Sequence, residues 1–182
     1  MTDEELIEVW LEADEARSRP FRAKRLRKLV EILEIPDRGL LFFGGMETMQ
    51  AFTELRLAYI HGLFLAVVLQ VLLIIERNLA GHLYAKGIEE AKQMRLEKLL
   101  TSAVEHGYVT QDEARIFDRL RSIRNAYTHF RAPGHASSSL QRAIESDLPF
   151  HDLLEADATD SILALASFGN YNLESAGGPT HI

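Results

Sequence analysis

Three arginines, an amide, three hydroxyls and an imidazole crowd into one short stretch, Arg121-Ser122-Ile123-Arg124-Asn125-Ala126-Tyr127-Thr128-His129-Phe130-Arg131. Arginine presents a fork of donors suited to a phosphate or to the charge of a developing phosphorane, and histidine is the side chain whose ordinary pKa lies nearest neutrality. Those groups point to general acid–base chemistry at a phosphate. On a helical wheel of about 100° per residue with Ile123 at zero, Ile116, Leu120, Tyr127 and Phe130 fall within about 60° of it, predicting a core-facing stripe. Arg124, Thr128, Arg121, Asn125 and His129 follow at about 100° to 240°, which predicts a polar face. Asn125 and His129 are four apart, so the amide is expected to orient the ring. Arg124 and His129 are about 140° apart and converge on one phosphate only if a second copy of the helix faces the first across a two-fold.

The elements that must carry this stretch read as helices. Thr110-Gln111-Asp112-Glu113 is a capping box that opens a helix to about His129 or Phe130, with Pro133-Gly134 as its stop. Before it, Ile88 to about Glu105 predicts another helix, closed by His106-Gly107, and Met46 to about Ala85 one long helix ending before Gly87. At the N-terminus, Leu6, Val9, Trp10, Ala13 and Ala16 predict a helix over about 3–18, punctuated by Pro20. A second follows with Leu26, Leu29, Val30 and Leu33 as its stripe. Pro36-Asp37-Arg38-Gly39 breaks the pattern, and Gly44-Gly45 closes an apolar loop from Leu40 to Phe43. That glycine pair reads as an interhelical turn in preference to a phosphate-binding one. After Pro133, a short helix to Ser146 and a last one over Asp157 to Phe168 precede a loose tail from Gly169 to Ile182. The expected fold is therefore all-α, an up-down bundle of about five to seven helices around one long, strongly apolar central helix. Its regions would be 1–45, a helical pair with its loop, 46–168, the bundle, and 169–182, the tail.

Composition narrows the chemistry. The chain of 182 residues has 47% hydrophobic content, enough for a sizeable core, and a formal net charge of -7. With no cysteine, disulfide frameworks, thiolate metal sites and thiol nucleophiles are excluded, and the seven histidines lack metal-ligand spacing. No phosphate-binding glycine loop, zinc helix or serine elbow is present. An acidic start without a positive n-region carries no mark of secretion, so the cytoplasm is the expected location. Leu57 to Ile75 is a 19-residue stretch without charge and would suffice for a membrane span. His61, Gly62 and Gln70 interrupt it, and the flanking amphipathic helices need a central partner, so burial is the expectation and a membrane anchor the alternative. The basic run Arg17 to Lys28 reads as a solvated face balanced by the acidic residues before it; its other use would be phosphate contact along an RNA backbone.

An arginine, a polar residue and a histidine near the end of a late helix in a small all-α domain resemble the HEPN superfamily. Here the motif is Arg124-Asn125-Ala126-Tyr127-Thr128-His129, and the similarity covers roughly residues 46–168. The resemblance implies a metal-independent, cofactor-free endoribonuclease of toxin or defence type, acting on RNA as a homodimer and leaving 2′,3′-cyclic phosphate and 5′-hydroxyl ends. It implies catalytic roles for Arg124, His129 and Asn125, substrate contacts from Arg121, Thr128 and Arg131, and a separate antitoxin or regulatory protein as a further partner. The alternative within the same resemblance is a non-catalytic helical module for protein interaction. Some family toxins carry a tyrosine two residues after the histidine, where this chain has Arg131. The bare spacing is cheap, because 15 arginines and 7 histidines place roughly half such a pair by chance. Arg56/His61 and Arg77/His82 share it, the latter with Asn78 in the same place. The 124–129 copy is preferred for its capped helix and polar face, whereas Arg77 is expected to pair with Glu76 at a rim.

Overall fold

A computed structural model describes residues 2–33, 44–132 and 134–175, with side chains through Phe168. Seven α-helices and one short 3-10 helix account for the described fold, and no strand occurs among the described residues. In chain order these are α1 (Asp3–Leu33), α2 (Met46–His61), α3 (Phe64–Ala85), the 3-10 turn (Glu89–Gln93), α4 (Leu96–Glu105), α5 (Gln111–Thr128), α6 (Ser139–Glu145) and α7 (Phe150–Ser175). The all-α bundle with a central apolar helix is thus present. The predicted breaker at residues 36–39, the loop Leu40 to Phe43, Pro133 and residues 176–182 lie outside the described residues.

The long helix expected over Met46 to Ala85 is two helices. Gly62 takes φ 76, in the left-handed region, and its N–H donates to the Tyr59 carbonyl while Leu63 N–H reaches Ala58, the double closure of a Schellman cap. A side chain there would also meet the Arg25 guanidinium at 2.8 Å. The charge-free run is consequently folded back on itself as a hairpin, and only α3 retains span length, with half of that window buried inside the fold. Val67, Val71, Ile74, Ile75 and Leu83 of α3 are fully buried against α2, α4, α5 and α7. Contrary to the expectation of a helix covered on every side, Leu65, Leu69 and Leu73 form an exposed stripe at one-turn spacing.

At the N-terminus the two expected helices are one. Pro20 stands inside α1 and removes one backbone donor, but the carbonyl it deprives belongs to exposed Ala16, which water can satisfy. An Arg22–Glu15 ion pair bridges the turns on both sides of the proline. Only the second half of α1 packs, with Leu29 buried and Arg25 set over the Phe64 ring at 5.0 Å. The helix expected over Ile88 to Glu105 is the 3-10 turn followed by α4, because Met94 and Arg95 are extended. The last helix is longer than the periodicity indicated, starting at Phe150 and continuing through Ser175.

Candidate functional site

The helix that carries the motif is set at both ends. At its start the capping box forms as expected: the Glu113 N–H donates to Thr110 Oγ at 3.2 Å, and the Thr110 N–H donates to the Glu113 carboxylate at 2.7 Å. Ala114, Phe117, Leu120 and Ile123 bury its inner face, with Phe117 edge-on to Phe168 of α7 at 5.5 Å. This core face is rotated from the expected stripe. Ile116 is exposed, and Phe130 is 90% exposed because the helix ends before it, so wheel angles no longer apply there.

That rotation changes the position of Arg124. It lies seven residues after Phe117, about 20° from it and so in line with the core face at the C-terminal end of the helix, half-buried, where the wheel centred on Ile123 had put it on the open polar side. Its Nε is buried without a hydrogen-bond partner and no described carboxylate pairs with it. A buried donor left unsatisfied costs about 1–3 kcal/mol, which a bound acceptor would recover. Asn125 is half-buried beside it, and Thr128, His129 and Arg131 are exposed. The expected orientation of the imidazole by the Asn125 amide is not formed. His129 is extended at φ -116, ψ 129, which takes its ring off the helical register, and the link between the two residues is the His129 N–H donating to the Asn125 carbonyl at 3.1 Å. Two of the expected substrate contacts are engaged within the chain: Arg121 Nε donates to Asp118 at 2.8 Å, and the Thr128 hydroxyl donates to the Arg124 carbonyl at 3.0 Å.

A buried network absent from the sequence reading fixes the end of α5. Asp157 of α7 is 4% exposed and accepts two hydrogen bonds from the Arg142 guanidinium of α6, at 2.8 and 2.7 Å, and a third from the Tyr127 hydroxyl. Burial, reinforced by the adjacent carboxylate, pushes the Tyr127 phenol well above its ordinary value. The hydrogen bonds to Asp157 likewise raise Arg142, outweighing desolvation. Buried charge is tolerable only when paired and fully bonded in this way. The signal available in sequence was one acid between Ala156 and Ala158, on a helix whose inward residues include Leu153, Ile162, Leu165 and Phe168.

The other copies of the spacing are placed differently. Arg56 and His61 are exposed on α2. Arg77 pairs with Glu47 at 2.8 Å, not with Glu76 as expected, and donates to the Gly44 carbonyl at 3.0 and 3.2 Å, because the turn before α2 reaches α3 there. His82 is buried edge-on to Tyr108 at 4.1 Å, and burial, then Lys86, lowers its pKa.

Among the described residues no three His, Asp or Glu side chains gather as a metal-ligand cluster. A groove between α4 and α5 is lined by Arg121 and Arg115 but also by Glu97, Glu105 and Asp118, so within one chain it is no phosphate cradle. Compared with family models, with curated proteins and with solved structures, the chain matches none.

Proposed function

We propose that this chain is a HEPN-like, metal-independent endoribonuclease of toxin or defence type, acting in the cytoplasm as a homodimer in which two Arg124–His129 edges share one cleft. The observation that carries the reading is Arg124: half-buried, without a carboxylate, its Nε unsatisfied, on a helix whose end is fixed by Asp157 and followed by the exposed His129. In the reaction, His129 takes the proton of a ribose 2′-hydroxyl as that oxygen attacks the neighbouring phosphorus. Arg124 stabilises the charge on the phosphorane oxygens. The bond from phosphorus to the 5′-oxygen then breaks, and the leaving oxygen takes a proton from the second copy's imidazolium. Asn125 holds His129 through its carbonyl, as a positioning residue.

Incubation of the purified chain with RNA in the presence of a chelator tests this. Cleavage with 2′,3′-cyclic phosphate and 5′-hydroxyl ends is the expected result. A second reading draws on the engagement of Arg121 by Asp118, which suits a module that does not grip phosphate. It predicts an intact substrate and a co-purifying protein partner, and that pair of outcomes would replace the nuclease reading.

A further inference from the structure

The first helix is sharply polarised. Asp3 to Glu15 hold seven carboxylates and no base, whereas Arg17 to Lys28 hold seven bases and no carboxylate, so the sign changes at Ala16. Around the helix, the residues that lose exposure to the body, Ser18, Arg22, Arg25, Leu29 and Ile32, share one side. About 170° away runs a second stripe, Val9, Ala13, Ala16, Pro20, Ala23 and Val30, at alternating intervals of four and three closed by one heptad. All of it is exposed except Ala23, which is half-buried. From Asp3 to Ala13 every residue is exposed, Trp10 at 62%, so about 16 Å of helix stands clear of the body.

We propose that α1 is a dimerisation arm on which α1 of a second copy packs antiparallel, centred near Ala16. Charge chooses this occupant and this direction. An antiparallel two-fold lays the acidic half of each helix on the basic half of the other, whereas a parallel pair sets like on like. Glu8 and Glu12, like Arg19, Lys24, Arg27 and Lys28, have no described ion-pair partner within the chain, so both signs are available. The alternation of three and four is what two helices need to mesh, and small side chains at Ala13, Ala16 and Ala23 let the backbones approach closely at the centre. Packing also accounts for the free half of α1, since a helix of that length gains most of its stability from a partner. An RNA backbone is a poorer occupant, because the carboxylates next to the basic half repel phosphate. The proposal does not depend on the ribonuclease reading and concerns a different surface from Arg124 and His129.

Sedimentation of the full chain over a concentration series tests it. Self-association that weakens with added salt is expected. The variants Glu8→Lys/Glu12→Lys and Arg19→Glu/Lys24→Glu alter exposed residues, and circular dichroism reports whether each folds. Each is expected to lose about a hundredfold in self-affinity through juxtaposed like charges, while an equimolar mixture of the two associates as a heterodimer. A monomeric wild type, variants that associate as tightly as wild type, or a mixture that stays dissociated would each overturn the arm. So would loss of RNA binding in Arg19→Glu/Lys24→Glu with association unchanged, which makes the basic half a phosphate surface. A monomeric wild type would remove both this arm and the dimer of the nuclease reading, whereas charge-reversal variants that associate as tightly as wild type and still cleave RNA would overturn the arm alone.

Discussion

Arg77-Asn78 with His82 and Arg124-Asn125 with His129 have the same residue types at the same spacing, and the fold uses them in opposite ways. In the first, the guanidinium is occupied by the Gly44 carbonyl, Thr48 and Glu47, and the histidine is sealed against Tyr108. In the second, the arginine keeps an unsatisfied donor and the histidine stands in solvent just past the helix end. Spacing alone therefore does not make a site. What separates the copies is whether the arginine's donors are consumed within the chain and whether the imidazole can meet a substrate.

The largest expected effect tests what holds the second copy in place. Asp157→Ala strands a half-buried guanidinium and phenol, and should cost about 3 kcal/mol in urea denaturation. A loss under about 1 kcal/mol would mean that the end of α5 is fixed by apolar packing instead. Next, the two arginines should part company: Arg77→Ala loses about 1–3 kcal/mol of stability by leaving Gly44 and Thr48 without their donor. Arg124→Ala should lose no stability, because no internal acceptor is stranded and an unsatisfied buried donor is removed. Equal losses in paired denaturation curves would erase the distinction. The smallest effect concerns pH. Burial depresses the His82 pKa in the folded state, so the unfolded chain binds the proton more readily. Stability should be unaffected by this group above about pH 6.5, its unfolded value, and fall as pH drops below it. His82→Leu should flatten that part of the profile.

Much of the architecture was legible in the sequence, for identifiable reasons. The Thr110 capping box and the short helix before Ser146 are local signals, and both form where they were expected. Gly62 lay in plain view inside the apolar run, but its apolar neighbours masked a left-handed cap at which a side chain would also meet Arg25. Pro20 misled in the other direction, since a proline is tolerated in a helix when the carbonyl it strands faces water. At the candidate site the residue types were legible and their environment was not. Local periodicity centred the inner face on Ile123, whereas packing against α7 brought Phe117 inward and carried Arg124 to the edge of the core. Tyr127, Arg142 and Asp157 stand on three successive helices, a triad spanning 30 residues that no local pattern encodes.

The central claim is that only the second copy does chemistry, and RNA cleavage in chelator by matched variants tests it most directly. Arg124→Ala and His129→Ala should each lose about a hundredfold or more in rate, consistent with removal of a charge-stabilising donor or of the general acid–base group. Arg77→Ala and His82→Leu, compared at a temperature where all four are folded, should cleave within a few-fold of wild type. Cleavage that survives in Arg124→Ala and His129→Ala but is lost in the other pair would contradict the account.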